Sequence, residues 1–295
     1  VKSDDRAGGV RRALDLLGAG DFQGKRILIK PNYNTAHPAP GSTDNDVLVP
    51  AVQWLRARGG ERLEVWDRSG MGDTRAVMQQ KGLAGLARDY DFEYFAFDDL
   101  GSDDWVMVDF AGSYWPHGFP IARPVLDADA VVSLCCLKTH RFGGHFTLSL
   151  KNSVGMVAKT VAGDPTDYMA GILHRSPRQR ELIADINRAY TPDLIVLDGM
   201  QAFTNRGPEA GAVVAPGVIL AGTDRVAIDA VGVAILRLYG TTPEVQNGSI
   251  FGQAQLAHAA ALGLGIDSPE KIELVTADQA SAAFADEVRR ILTSA

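Results

Sequence analysis

Residues 130–140 read AVVSLCCLKTH. The run from Ala130 to Leu137 is almost continuously apolar, as in a strand covered on both faces at the middle of a parallel sheet. It passes without a turn into Lys138-Thr139-His140. A central strand that ends in a cation, a hydroxyl and an imidazole predicts an α/β fold with chemistry at the strand ends, where loops converge in open sheets.

The same pattern recurs on both sides of this stretch. KRILIK (25–30) is a strand stopped by Pro31 and followed by a long polar loop over 32–46. Residues 62–66 form the next strand and end in Asp67-Arg68-Ser69-Gly70. Short strands are expected at 92–97, at 105–110 on a less regular side of the sheet, at 193–197 before Asp198-Gly199, at 218–221 and at 271–275. Helical spacing runs through Val49, Val52 and Leu55 with Pro50 in the first turn, then over 74–90, 178–190, 226–239, 253–262 and 280–292, with Thr223 or Asp224 as an N-cap. The expected fold class is α/β, a mostly parallel or mixed sheet flanked by helices, with a loop-rich insertion (141–175) over the strand ends. One domain over 1–295 is expected, with an elaborated lobe at 98–175 and its loops at 98–104 and 112–124 as the hinge candidates.

The chain has 295 residues, 46% of them hydrophobic and 22% charged, with a formal charge of −7. That is enough apolar material for a substantial core, and it argues against disorder. The acidic total argues against sequence-independent nucleic-acid binding, which needs a continuous basic surface. Cys135 and Cys136 are the whole thiol inventory. Adjacent and in apolar surroundings, they suit buried packing and give neither a disulfide framework nor the four thiolates of an iron-sulfur cluster, so no such cluster is expected within this chain. A reducing, cytoplasmic setting is the expectation. No apolar stretch reaches the roughly 20 residues that span a bilayer, and the start, with Asp4 and Asp5, has no apolar signal segment. G-x-S-x-G, the G-x-x-x-x-G-K-[ST] phosphate loop, the dinucleotide fingerprint and H-E-x-x-H are absent.

Four strand-end loops supply the candidate residues. Lys30, Lys138 and Lys151 carry charge for an anion; Asn32, Thr139 and Asn152 can orient it; Arg206 can clamp a carboxylate or phosphate in two-point fashion. His140 is the natural acid-base group near neutral pH, with Asp67 or Asp198 orienting it or carrying a second proton step. His37 and His145 join His140, Asp67 and Asp198 as metal-ligand candidates, although spacing does not choose among them. Asp229, inside an otherwise apolar helix, calls for a partner.

Taken together, Lys30-Pro31-Asn32, Lys138-Thr139-His140, Leu150-Lys151-Asn152 with Gly155, Asp198-Gly199, Gly207-Pro208 and Gly222-Thr223-Asp224-Arg225-Val226-Ala227-Ile228-Asp229 resemble the family catalogued as domain of unknown function 362. The resemblance covers most of the chain and implies the fold and the site location more than a reaction. Some relatives carry a ferredoxin-like iron-sulfur module, which implies a redox association and, for this chain, a separate redox partner. Phe203-Thr204-Asn205-Arg206 stand where the family is usually acidic, which weakens the transfer of a metal or proton-transfer role to that loop.

The leading expectation is an enzyme for a small anionic organic substrate, carboxylated by preference, working by Lys/His/Asp acid-base chemistry. A divalent-metal-dependent enzyme and a non-enzymatic sensor of an acidic metabolite are the alternatives.

Overall fold

The computed structural model describes every residue except 19, 144 and 295. The first half contains α1 (Arg6–Leu17), β1 (Arg26–Lys30), α2 (Asn45–Ala57), β2 (Arg62–Asp67), α3 (Thr74–Gln80), α4 (Leu83–Tyr90), β3 (Glu93–Ala96), β4 (Trp105–Val108), β5 (Phe119–Ala122), α5 (Arg123–Asp127) and β6 (Ala130–Thr139). The second half contains β7 (Phe146–Thr147), α6 (Ser149–Asn152), a π-helical turn at Tyr168–Leu173, α7 (Gln179–Ile186), β8 (Leu194–Phe203), β9 (Val213–Val214), β10 (Val218–Gly222), α8 (Arg225–Leu238), α9 (Pro243–Gln246), α10 (Ala254–Ala261) and α11 (Gln279–Leu292).

The main sheet runs β10-β8-β6-β1-β2-β3, with β7 and β9 attached to β6 and β8. Neighbours from β8 to β3 are parallel, and β10 is antiparallel to β8. From β1 the chain goes outward to β2 and β3, then returns to lay β6 on the other side of β1. The order therefore reverses between β1 and β6, the position at which open α/β sheets form a ligand crevice at the strand carboxyl ends. Lys30 ends β1, and Lys138 lies near the end of β6.

Three buried clusters hold the layers. Ile27, Ile29, Val132, Leu134, Leu194 and Val196 pack with α1 and α2 on one face. Cys135, Leu137, Ile195 and Leu197 pack with α8 on the other, and Leu28, Trp66 and Val131 pack with the 97–173 segment and α7. The expected lobe is thus a cover for one face of the sheet. Both cysteines are free and buried, and burial raises both thiols, that of Cys136 to about 11.

Several expectations are corrected. Helix α1 escaped the sequence reading, because Gly8, Gly9, Arg11 and Arg12 obscure its apolar face of Val10, Ala13 and Leu14. Helix α2 begins at Asn45 behind the Asp44 cap, so Pro50 lies in its second turn. The 74–90 helix is broken at Lys81-Gly82, where Gly82 takes φ 73°. The strand at 105–108 does not join the main sheet; it pairs antiparallel with β5 in a separate ribbon, so the expected loop at 112–124 contains a strand. The other edge of β5 is met by residues 157 and 158, where Pro120 needs only its carbonyl, which accepts the Ala158 N–H (3.0 Å).

Residues 271–275 are not a strand. The outer edge of β10 is met instead by the chain start: the Val1 amino group donates to the Ile219 carbonyl (2.9 Å), the Ile219 N–H donates back to Val1 (2.9 Å), and Lys2 bridges Val218. A cavity of about 340 Å³ separates the rest of β10 from Lys271–Val275. No helix among the described residues is long and apolar enough to cross a membrane.

Candidate functional site

The β1/β6 crevice is about 60 Å³, and its walls include Lys30, Asn32, Asp67, Arg68, Lys138, His140, Lys151 and Asn152. Sequence reasoning nominated all of these except Arg68 as binding or catalytic residues. Hydrogen-bond capacity then divides them by role.

Lys30 is saturated. Its three ammonium protons are taken by Asp67 Oδ1 (2.6 Å), the Pro31 carbonyl (2.6 Å) and Asn152 Oδ1 (3.4 Å). Asp67 also accepts the backbone N–H groups of Tyr33 (2.7 Å) and Arg68 (2.6 Å). Burial lowers the Lys30 pKa and raises that of Asp67, so desolvation pushes both toward neutrality while their contact holds them charged. Gly155 covers the pair: a Cβ there would come within 2.8 Å of Lys30 Nζ. Asn152 is also fully engaged, accepting from Lys30 and Asn32 and donating to the Lys30 carbonyl (3.1 Å) and Ser133 Oγ (3.0 Å). Lys30, Asp67 and Asn152 therefore form the floor of the crevice and have no group left for a ligand.

Lys138, Asn32, Arg68 and Lys151 keep unused donors. Lys138 donates to Asn32 Oδ1 (2.7 Å) and the Gly41 carbonyl (2.6 Å), which leaves one ammonium proton. Asn32 donates to Asn152 and keeps one amide proton. Arg68 donates through Nη2 to the Val154 carbonyl (2.7 Å), while its buried Nε has no partner among the described residues. Lys151 is half-buried, and the charges acting on it are Arg180, Lys138 and Arg68, all positive; burial and these neighbours pull its pKa from 10.5 down to about 7. Arg180 stands behind the β7 strand, donating to the Phe146 and Phe142 carbonyls.

His140 lines the crevice as expected. Burial first, then Lys151, Arg180, Lys138 and His174, drive its pKa far below the ordinary imidazole value, so the ring is neutral. Its Nδ1 accepts the Phe142 N–H (3.2 Å), which assigns the ring proton to Nε2. A neutral ring with its proton on Nε2 is a hydrogen-bond donor.

Other nominated residues lie elsewhere. Asp198 has the strand parity of Leu194 and Val196 and so faces α1, where Arg6 Nε donates to it at 3.0 Å. Thr139 is buried, and its hydroxyl donates to the Phe203 carbonyl (3.1 Å) where β6 rejoins β8 after a register shift. Arg206 is exposed at φ 53° and does not line the crevice, although the neighbouring Pro208 does. His37 is exposed beside Thr35, and the half-buried His145 lies outside the crevice walls. Among the described residues no group of three or more His, Cys, Asp or Glu side chains is placed to hold a metal ion; of the His/Asp candidates, His140 and Asp67 share the crevice.

Asp229 supports the site from behind. From α8 its Oδ1 accepts the Ser149 N–H (2.8 Å) and hydroxyl (2.5 Å), and its Oδ2 accepts the Leu150 N–H (3.2 Å). These bonds fix the start of α6, the turn that carries Lys151 and Asn152, while burial lifts the carboxyl to about 7. Asp229→Asn keeps an acceptor but turns one oxygen into a donor facing donors. It is expected to cost about 1–2 kcal/mol, read from the urea midpoint.

The family model described as "Domain of unknown function (DUF362)" matches residues 27–234. A thylakoid-associated protein of Synechocystis sp. is 28% identical over 241 residues, 78% of this chain and 69% of that protein. Among solved structures, the lactate racemase apoprotein from Thermoanaerobacterium thermosaccharolyticum is similar with a TM-score of 0.48 at 17% identity, over 75% of this chain. The chain spans about half (53%) of that structure.

Proposed function

The chain belongs to the domain of unknown function 362 family, and from that premise we propose that its β1/β6 crevice binds the carboxylate of a small organic acid and that Lys151 moves a proton on it. One observation carries the proposal: Lys138, Arg68 and Lys151 bring unused cationic donors to one crevice, and the charges acting on the half-buried Lys151 are all positive. An oxyanion is the ligand that such a set lacks. Lys138, Arg68 and the His140 Nε2–H receive the acid group. With a pKa near 7, Lys151 is divided between amine and ammonium at neutral pH, which suits general acid-base work. The sensor reading uses the same crevice without turnover. The two free, buried cysteines suit the aqueous, reducing setting of a cytoplasm.

The test is the pH dependence of carboxylate binding. Below about pH 7 the unliganded Lys151 is already charged and affinity is flat. Above it, binding must take up a proton, so affinity falls up to tenfold per pH unit until the pKa of the complex is passed. Calorimetry in buffers of different ionisation enthalpy reads that proton uptake directly. A flat profile through this range, or an unchanged profile in Lys151→Met, removes the role given to Lys151.

A further inference from the structure

We infer that the acid bound here carries an apolar body, preferably aromatic, which rests outside the crevice on Met71 and Phe142. The inference rests on the carboxylate reading above and adds the class of substrate. A volume of about 60 Å³ holds an acid group and little more, so the rest of any organic acid must lie at the mouth.

Two separate chain segments form that mouth, and each places an exposed apolar side chain there. Gly70 lines the crevice and Met71 follows it; His140 lines the crevice and Phe142 stands two residues on. Met71 and Phe142 are each 53% exposed. Arg141 joins them, with Nη2 at 3.6 Å from Met71 Sδ and its guanidinium 5.1 Å from the Phe142 ring centre, while Glu209 pairs with it from the Gly207-Pro208 loop. The Phe142 ring also lies 5.3 Å from the His140 ring and 6.1 Å from that of His174. The rim is thus continuous with the donor set: a cationic interior opens onto a thioether and an aromatic face. This matches a ligand with a charged head and an apolar body, since small apolar areas with polar rims mark ligand grooves.

Ligand-observed NMR titration of the whole chain with acetate and phenylacetate tests this, near pH 6, about a unit below the Lys151 pKa. Phenylacetate is expected to bind about tenfold or more tighter, the factor for covering roughly half of an aromatic ring. In Phe142→Ser and Met71→Ser the ratio of the two affinities falls toward one, and Phe142→Leu restores part of it. Equal affinities in the wild-type protein, with binding lost in Lys151→Met, would overturn the apolar rim and leave the crevice reading intact. Binding of both acids that survives Lys151→Met, or no binding of either acid, would overturn the crevice reading and this inference with it.

Discussion

Replacing Lys30 with methionine is expected to destabilise the protein by about 3–5 kcal/mol, because it strands the Asp67 carboxylate in the floor of the crevice. Asp67 is 1% exposed, and without the ammonium at 2.6 Å only the Tyr33 and Arg68 N–H groups remain to stabilise its charge. The loss should depend on pH in a defined sense. Loss of the ammonium raises the native Asp67 pKa further above its unfolded value, so the native state holds a proton that the unfolded state gives up. The deficit is therefore largest near neutrality and shrinks as pH falls toward about 4. Lys30→Met with Asp67→Asn removes both charges and is expected to recover more than half of the loss, since the two desolvation penalties nearly cancel the attraction of the intact pair. Urea unfolding of the single and double variants at two pH values separates these outcomes. Equal losses in both at each pH would show that packing, and not the uncompensated charge, sets the cost.

Lys151→Met is expected to act in opposite directions on binding and on stability. Removing the crevice ammonium that has no hydrogen-bond partner among the described residues should weaken carboxylate binding by about a hundredfold, the scale of a charge-assisted contact in a desolvated site. The same change should stabilise the unliganded fold by about 1–3 kcal/mol below pH 7, where the wild-type protein holds an ammonium among like charges. The native pKa near 7 lies below the unfolded value of 10.5, so the destabilising contribution is full below pH 7, declines between the two values and vanishes above the higher one. The gain in melting temperature of the variant should follow that course. A variant that loses both binding and stability would mean that Lys151 supports the α6 turn and does not serve the ligand.

The central sheet was legible because β6, β1, β2 and β8 are apolar runs bounded by strong stop signals, and their polar ends line up once the strands are parallel. The crevice floor followed from Lys30, Asp67 and Asn152. What they do did not, because saturation of Lys30 depends on a carbonyl and two side chains that converge only in three dimensions. Asp198 was legible in principle: counting by twos from Leu194 puts it on the α1/α2 face, but α1 and its Arg6 had not been recognised. Arg68 was not nominated, because nothing in its sequence position next to Asp67 shows that its side chain reaches the Val154 carbonyl while its backbone N–H alone meets the carboxylate. The mistaken strand at 271–275 had the right alternation, but alternation reports two faces and says nothing of whether a neighbouring edge is within reach.

The pairing of Val1 with Ile219 has a practical consequence for handling the protein. Because Lys2 opposes Val218 and Val1 opposes Ile219, anything fused ahead of Val1 is steered along Leu220 and into the space beside Lys271–Val275. A purification handle joined close to Val1 would thus compete for that cleft and alter melting behaviour.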